Sequence, residues 1–262
     1  MAVVVLTGAA SGLGWELAQR FAARGDELVL VDRDAALLQQ RAEVLAASTR
    51  VHSHVIDLTD AASVDAFCAA VCRDFPRIDV LVNNAGITHR SAAIQTQAAV
   101  LRRVMEVDYH AAVQLALGLY PVVEAGQGSI VNIGSMAGWM PVPGRAAYCA
   151  AKGALHQFFE TFRAEVRHKG VHVLMVYPSF LDTPIEKNAL GADGKPAAHA
   201  RSTAGQVRSA DWMADQVMAA LEKRKERLFP DNFSAFAAIL YRLCPRLFHR
   251  LVRRRFAAEL PQ

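Results

Sequence analysis

The stretch "AVVVLTGAASGLG", residues 2–14, combines three local signals that the rest of the chain extends. It opens with a short apolar, β-branched run, which is typical of a strand buried on both faces of a parallel sheet. Gly8, Gly12 and Gly14 follow, and glycine permits positive φ and close backbone approach. A helix starting near Leu13 would direct free N–H groups and the positive end of its dipole at this loop. The stretch therefore predicts a strand, a phosphate-binding turn and a helix.

The alternation of apolar runs and helical patterns continues along the chain. Strands are predicted at residues 2–6, 27–31, 50–57, 78–84, 128–134 and 171–178. Helices are predicted at Trp15–Arg24, Ala35–Ala47, Ala61–Phe75, Thr96–Val123 and Tyr148–His168. This order predicts an α/β fold: a doubly wound, Rossmann-like parallel sheet flanked by helices, in a single domain over residues 1–262.

Composition and charge narrow the class of protein. The 262 residues are 53% hydrophobic and 21% charged, an ordinary globular balance. No apolar run reaches the roughly 18 residues that span a bilayer, and the start shows no signal-peptide pattern. The four cysteines have neither disulfide-framework nor metal-ligand spacing, so we expect a reducing cytoplasm and no metal. The net charge is +4, but lysine and arginine crowd residues 222–227 and 253–255, which argues against a nucleic-acid partner.

Asp32 ends the second predicted strand and bears on the choice of nucleotide. A carboxylate there can accept hydrogen bonds from both hydroxyls of an adenosine ribose, and it would repel a 2′-phosphate. Arg33 follows and softens that preference, whereas Ser11 in the glycine loop brings no basic residue. We therefore expect NAD, with NADP the less favoured alternative.

Tyr148 and Lys152 stand four residues apart, which places them on one face of a helix. A tyrosine has an ordinary pKa of about 10, so it needs help to accept a proton near neutrality. A lysine charge one turn away would favour the phenolate. Ser135, thirteen residues before Tyr148 at the end of the fifth predicted strand, could hydrogen-bond a substrate oxygen. The three side chains are of the kinds that act together in general acid–base chemistry.

With these residues in place, the chain resembles the short-chain dehydrogenase/reductase family from residue 2 to about residue 183. The resemblance rests on "TGAASGLG" at 7–14, Asp32, "DL" at 57–58, "NNAG" at 83–86, Ser135 and "YCAAK" at 148–152, in the family's order and spacing. It implies an NAD(P)-dependent oxidoreductase acting on CH–OH groups, in which Ser135, Tyr148 and Lys152 are catalytic. Lys152 would also bond the nicotinamide ribose.

The glycine loop and the resemblance together predict the cofactor site. Its expected residues are Gly8, Ser11, Gly12, Leu13, Gly14, Asp32, Asp57, Leu58, Asn83, Tyr148, Lys152, Leu181 and Thr183. By resemblance, Asp57 and Leu58 would hold the adenine, Asn83 would line the cleft, and Leu181 and Thr183 would hold the nicotinamide carboxamide. Ser179 stands where the family usually has glycine.

Asp108, in "VMEVDYHAA", stands where the family has a fourth catalytic residue, an asparagine. By resemblance, the backbone carbonyl at this position holds a water that relays protons from the lysine, and that role survives the change. The carboxylate could also help to keep Lys152 charged, or it could be a tolerated isostere. The sequence leaves both interpretations open.

Three hypotheses for function remain at this stage. The first is an NAD(H)-dependent dehydrogenase of a secondary alcohol or ketone. The segments "WMPVP" at 139–143 and "PSF" at 178–180 either face the substrate or only cover the end of the sheet. If they face the substrate, they favour an apolar one, such as a lipid, a steroid or an aromatic alcohol. An NADPH-dependent ketoreductase of acyl or long-chain keto groups is the second hypothesis. A non-catalytic dinucleotide-sensing protein is the third. Residues 184–208 are predicted to form a substrate lid.

Two further expectations concern partners. The predicted helices Thr96–Val123 and Tyr148–His168 are apolar over more than one face, and the resemblance implies that they pair between subunits in a homodimer or homotetramer. The extension at 232–262 is basic and amphipathic over 232–256, with a break expected at Pro245, ending its first helix near Cys244. It either packs on protein or makes a weak peripheral contact with membranes.

Overall fold

Parallel strands form the centre of the computed structural model, which describes residues 1–197 and 206–256. The strands are β1 Val3–Thr7, β2 Glu27–Asp32, β3 Val51–Val55, β4 Val80–Asn83, β5 Ser129–Ile133, β6 His172–Val176, β7 Phe180–Asp182, β8 Val207–Ser209 and β9 Arg227–Leu228. Within the described ranges, seven of them pair in one sheet, in the order β3-β2-β1-β4-β5-β6-β9. The six strands predicted from apolar runs are confirmed, as is the Rossmann-like class.

The order of the strands fixes where a ligand can bind. From β1 the chain first moves outward to β2 and β3, then returns to place β4 on the other side of β1. Ligands of doubly wound sheets bind beyond the carboxyl ends of the strands at such a reversal. The loops that follow β1 and β4 therefore meet over one crevice.

Helices cover both faces of the sheet. They are α1 Gly12–Ala23, α2 Ala35–Ala46, α3 Ala61–Asp74, α4 Ala98–Met105, α5 Ala111–Gly118, α6 Tyr120–Ala125, α7 Ala146–Val166, α8 Pro184–Lys187, α9 Ala210–Glu222, α10 Asn232–Leu243 and α11 Pro245–Arg255. Side chains alternate along each strand, so successive residues join opposite cores. Val5 belongs to the core under α3, α5 and α7, and Val4 belongs to the core under α1, α2 and α9.

The prediction of one continuous helix over Thr96–Val123 is wrong, because the region is divided into several helical segments. It consists of α4, a π-helical segment at Glu106–His110, α5 and α6. The break before α6 follows from Pro121 in its first turn, because proline has no N–H to continue the hydrogen bonds of the preceding helix. The π segment carries a side chain of the predicted site and is described below.

Other differences lie late in the chain. The short strand β9 and the helix α9 were not among the predicted elements. The predicted lid at 184–208 includes α8 and the start of β8, which pairs with β7 beside the sheet; residues 198–205 of the lid lie outside the described residues.

The C-terminal helices separate where the sequence predicted. Proline at position 245 begins α11, and α10 ends one residue before Cys244. Ala238 and Phe248 are buried, so the pair packs on the domain along part of its surface. Residues 257–262 of the predicted extension lie outside the described residues.

Candidate active site

The glycine loop after β1 has the backbone geometry that a dinucleotide requires. Gly8 and Gly12 have φ of +65° and +56°, a region that favours glycine. A Cβ on Gly14 would lie 2.0 Å from the Gly8 carbonyl oxygen, so no side chain fits there. The Asn84 side-chain amide donates to the carbonyls of Thr7 and Gly8 at 2.9 and 3.2 Å, which ties the end of β4 to the loop. The cradle fits a pyrophosphate against the N-terminus of α1.

A cavity of about 700 Å³ runs from this loop across the carboxyl ends of the strands. Its size is that of a typical cofactor or ligand site. Predicted site residues that line it are Gly8, Ser11, Gly12, Leu13, Asp32, Asp57, Leu58, Ser135, Tyr148, Lys152, Leu181 and Thr183. Three predicted residues, Gly14, Asn83 and Asp108, are outside this lining.

The side chain of Asn83, which was expected to line the cleft, is outside the lining of this cavity. Its side chain is buried, and its amide donates to the Ala112 carbonyl at 3.3 Å and to Asn132 Oδ1 at 2.9 Å. Asn84 lines the cavity instead. The two neighbours point in different directions because side chains alternate at the end of β4. Asn83 thus supports the floor of the site, and Asn84 shapes its surface.

Carboxylates hold the far end of the cavity. Asp32 accepts hydrogen bonds from the backbone N–H groups of Ala10 at 3.0 Å and Asp34 at 3.1 Å, so its carboxylate is fixed beside the glycine loop. Hydrogen bonds from Thr59 lower the pKa of Asp57, with its backbone N–H the larger cause. Asp57 is therefore an anionic acceptor at neutral pH, and both carboxylates lie where contacts to ribose and adenine are expected.

The ammonium group of Lys152 is held in place by two buried partners. The residue is only 4% exposed, and its ammonium donates to the Ile133 carbonyl at 3.0 Å. Asp108 Oδ2 lies 3.8 Å from the same ammonium. The other oxygen of Asp108 accepts from the backbone N–H of Ile87 at 2.7 Å. The carboxylate of Asp108 thus joins α7, the loop after β4 and the π segment.

The π-helical turn explains how Asp108 reaches Lys152. A π segment inserts one residue into the helical repeat, and such segments are frequent at functional sites. Apolar periodicity does not reveal the insertion, so the sequence placed Asp108 on a plain α-helix. Burial raises the pKa of Asp108 to about 6, against the opposing effect of Lys152. The side chain is therefore mostly ionised at neutral pH and serves as the counter-ion of the lysine.

Tyr148 departs from the expected electrostatics. Burial raises the pKa of Tyr148, the Asp108 charge raises that pKa further, and the hydrogen bond with Ser135 opposes both. The Lys152 ammonium lies 5.7 Å from the centre of the tyrosine ring and is paired with Asp108. The net effect in this arrangement is a raised pKa, contrary to the expectation for a tyrosine beside Lys152, and Tyr148 is a protonated phenol at neutral pH.

An ionic cluster that no sequence motif marks lies beside Tyr148. Glu186 accepts from Arg90 at 2.9 Å and lies 3.9 Å from Arg145, which lines the cavity. The pKa of His89 is lowered to about 4, mainly by burial and to a smaller extent by the positive charge of Arg145, so this histidine is neutral. No motif marks these residues, because they are distant in sequence and lie on separate loops and short helices. The cluster connects α8 to the loop after β4.

The outer walls of the cavity are largely apolar. Met140, Pro141 and Val142 line it, as do residues 178–180, so most residues of the two apolar segments quoted from the sequence face the cavity. Trp139 and Pro143 do not line it. Trp139 packs against the rings of His156, Tyr177 and Phe229 instead. The C-terminal helices complete the wall with Phe233, Phe236, Ala237, Leu240, Phe248, Leu251, Val252 and Phe256.

Metal clusters and membrane-spanning helices are absent from the described ranges. There, no group of three histidine, cysteine, aspartate or glutamate side chains is placed to hold a metal ion. No helix of residues 1–197 or 206–256 combines the length and the apolarity needed to cross a bilayer.

Comparisons with known proteins show which family and fold this chain resembles. Residues 2–193 match the family described as short chain dehydrogenase. A relative from Bos taurus, named dehydrogenase/reductase SDR family member 7B, is 38% identical over 98% of this chain and 82% of its own length. A solved short-chain dehydrogenase from Sphingobium yanoikuyae in complex with NADPH is 28% identical, with a TM-score of 0.80 over 100% of this chain and 97% of that one. A Burkholderia phymatum enzyme in complex with NAD, 24% identical over 94% of both chains, has the same fold with a TM-score of 0.80.

The charge of Asp108 gives a pH-dependent prediction. Asp108→Asn removes the negative charge that raises the Tyr148 pKa, so the phenolate forms at lower pH. We expect the rising limb of the pH profile for alcohol oxidation to move down by about one unit. Glu106→Gln, at an exposed position of the same π segment, is the matched control and should leave the profile in place. An unchanged profile in Asp108→Asn would show that only the backbone of this residue matters.

Proposed function

This chain belongs to the short-chain dehydrogenase/reductase family and is an NAD(P)-dependent oxidoreductase, and we propose that it transfers hydride between NAD(H) and an apolar secondary alcohol or ketone. One observation carries the proposal. Ser135, Tyr148 and Lys152 line a single cavity, between a dinucleotide cradle at one end and apolar walls at the other. We take the chain to be one cofactor-binding and catalytic domain.

The residues of the chain divide the proton chemistry among them. The nicotinamide, when bound, supplies the hydride chemistry. Tyr148 gives its proton to a ketone oxygen or takes one from an alcohol, and Ser135 holds that oxygen. Lys152 provides positive charge beside the tyrosine, and it is kept in place by the Ile133 carbonyl and the Asp108 carboxylate. The protonated state of Tyr148 is the one that ketone reduction uses.

The apolar walls support the proposed substrate class. Met140, Val142 and Phe180 lie on the body of the domain, and Leu240 and Phe248 lie on the C-terminal helices. These surfaces would remove the apolar part of a lipid, steroid or aromatic alcohol from water. Each Å² of apolar area buried in this way contributes about 25 cal/mol of favourable binding free energy. The same walls would accept the acyl chain of a keto substrate, the alternative ketoreductase activity. The third hypothesis, a dinucleotide sensor without turnover, is disfavoured by the intact Ser135, Tyr148 and Lys152.

The proposed preference for NAD rests on Asp32. Its carboxylate is held by two backbone N–H groups beside the cavity, where it would meet a ribose 2′-substituent. Arg33 and Arg103 also line the cavity and favour the alternative, NADP(H). The Sphingobium yanoikuyae relative was solved with NADPH, which keeps that alternative open for this chain.

The first test concerns Tyr148. Tyr148→Phe removes the proton donor and acceptor while keeping the ring, so turnover should fall by about 100-fold or more, with cofactor affinity nearly intact. Steady-state rates with a panel of secondary alcohols and ketones, and fluorescence titration of NADH, measure the two quantities. Tyr120→Phe, which removes a phenol hydroxyl outside the cavity, is the control. Near-normal turnover in Tyr148→Phe would remove this residue from the mechanism.

A second test concerns the cofactor. Asp32→Ala removes the carboxylate from the ribose end, so relative use of NADP over NAD should rise by about tenfold or more. The ratio of kcat/KM for the two nucleotides measures it. Asp34→Ala, which removes a neighbouring carboxylate that caps α2, should leave the ratio unchanged. A wild-type enzyme that already prefers NADPH would contradict the proposed cofactor.

We also propose assembly into a homodimer or homotetramer through α5 and α7. Leu117 on α5 is 52% exposed, and Tyr109, Phe158 and Phe162 line a shallow depression that a second subunit could fill. Burying such apolar surface stabilises association. Light scattering at micromolar concentration should give two or four times the mass of one chain. A monomer at that concentration would contradict the assembly.

The proposed location is the cytoplasm, with peripheral membrane contact through α10 and α11. Cys68, Cys72, Cys149 and Cys244 are all free thiols, as a reducing compartment favours. Fractionation of cells that express the tagged protein tests the location. Recovery only in an oxidising compartment would contradict it.

A further inference from the structure

One face of α10 is fixed to the body of the protein. Ser234 and Ala238 on this face are buried, and the Asp231 carboxylate caps the helix by accepting from the Ser234 N–H at 2.7 Å. The guanidinium of Arg242 lies 4.8 Å from the centre of the Trp139 ring, a cation–π contact. The position of α10 is therefore set by the domain.

The opposite face of α10 carries large apolar side chains in solvent. Phe236, Ile239 and Leu243 are 62%, 56% and 75% exposed, and their spacing of three and four residues places them in one stripe. Leu247 and Leu251 on α11 are 49% and 47% exposed, one turn apart. These five side chains form the apolar stripe of the helix pair. Soluble proteins rarely leave a contiguous patch of this kind uncovered.

The apolar stripe continues into the active-site cavity. Phe236 and Leu251 belong to the stripe and also line the cavity, so they form its rim. Phe233, half exposed, lies on the same rim, and Leu240 and Phe248 line the cavity beside it. Whatever covers the stripe therefore also faces the entrance to the cavity.

Charge identifies the surface that covers the stripe. Residues 232–256 contain six arginines and no acidic residue. Arg246, Arg250 and Arg253 are exposed, and their spacing places them on one face of α11 beside the leucines. A second copy docked about a two-fold axis would bring like charges together. An anionic lipid surface offers phosphates to the arginines and acyl chains to the stripe.

We propose that α10 and α11 seat the enzyme on anionic membranes with the cavity entrance facing the lipid. The stripe enters the boundary between headgroups and acyl chains, and the arginines contact lipid phosphates. An apolar alcohol or ketone then passes from the bilayer into the cavity without crossing water. Membrane seating does not depend on the proposed redox function. Delivery of the substrate from the lipid rests on that proposed function.

The binding test uses the full chain and vesicles of phosphatidylcholine, alone or with one third phosphatidylserine. At low salt, sedimentation should show binding to the anionic vesicles, at least tenfold weaker binding to the neutral ones, and release at high salt. Two variants address the surface: Ile239→Asp with Leu243→Asp, and Arg246→Glu with Arg250→Glu and Arg253→Glu. None of these five residues lines the cavity. Each variant should lose at least tenfold in partition.

Matched controls carry the same changes elsewhere on the surface. Val44→Asp with Ile94→Asp changes two exposed apolar residues, and Arg50→Glu with Arg73→Glu and Arg77→Glu changes three exposed arginines. Both should bind like the wild type. Absence of binding to anionic vesicles at low salt, or equal losses in the control variants, would overturn the proposal. A stripe variant that changes the mass in light scattering but keeps vesicle binding would assign the stripe to a second copy, and would also overturn it.

Kinetics separate the seating from the chemistry. The enzyme is assayed with a short water-soluble secondary alcohol and with a long-chain secondary alcohol dissolved in the anionic vesicles. The stripe variant should keep its rate on the soluble alcohol and lose at least fivefold on the vesicle-borne one. Equal rates for wild type and variant on the vesicle-borne alcohol would overturn delivery from the lipid. A wild type inactive on both alcohols would contradict the proposed function and leave the vesicle-binding result standing.

Discussion

The ammonium group of Lys152 lies almost wholly out of solvent, and the catalytic half of the molecule is arranged around its need for partners. A buried charge without partners costs several kcal/mol. Lys152 meets this need with the Ile133 carbonyl at the end of β5 and with the Asp108 carboxylate from the π segment. Asp108 is in turn held by the backbone of Ile87 after β4. One charge thus sets the relative positions of two strand ends, α7 and the π segment.

The other end of the cleft is organised by polar contacts at the strand ends. The side-chain amide of Asn84 donates to the carbonyls of Thr7 and Gly8. Gly14 has no side chain, which leaves room for the Gly8 carbonyl to approach α1. The result is a rigid cradle at one end and a fixed charge at the other, with Tyr148 near the fixed charge. Because burial and the Asp108 carboxylate both raise the Tyr148 pKa, the protein alone keeps the phenol protonated. Under the proposed function, reduction of a ketone starts from that state.

The sequence predicted what depends on local pattern and missed what depends on tertiary packing. Six sheet strands were identified because strands buried on both faces require continuous apolar runs, whereas β9, with two residues, is too short to leave such a run. Ser135, Tyr148 and Lys152 follow from spacing on one strand end and one helix. The inward turn of Asn83, the π insertion at Asp108 and the pairing of Glu186 with Arg90 all depend on neighbours distant in the chain. No periodicity in the sequence encodes those contacts.

The cavity is built from two parts of the chain, one that supplies the groups for the chemical step and one that forms much of the wall around the substrate. The proposed nucleotide cradle and proton-transfer groups come from residues before 184, whereas much of the outer wall comes from α10 and α11, after the last strand of the sheet. Changes in the terminal helices can alter which molecules enter without disturbing the groups that carry out hydride and proton transfer. Selection can therefore diversify substrate range at one end of the gene while the chemical step stays under separate constraint. Exchange of this terminal segment between homologues is accordingly a direct route to redesigning the enzyme.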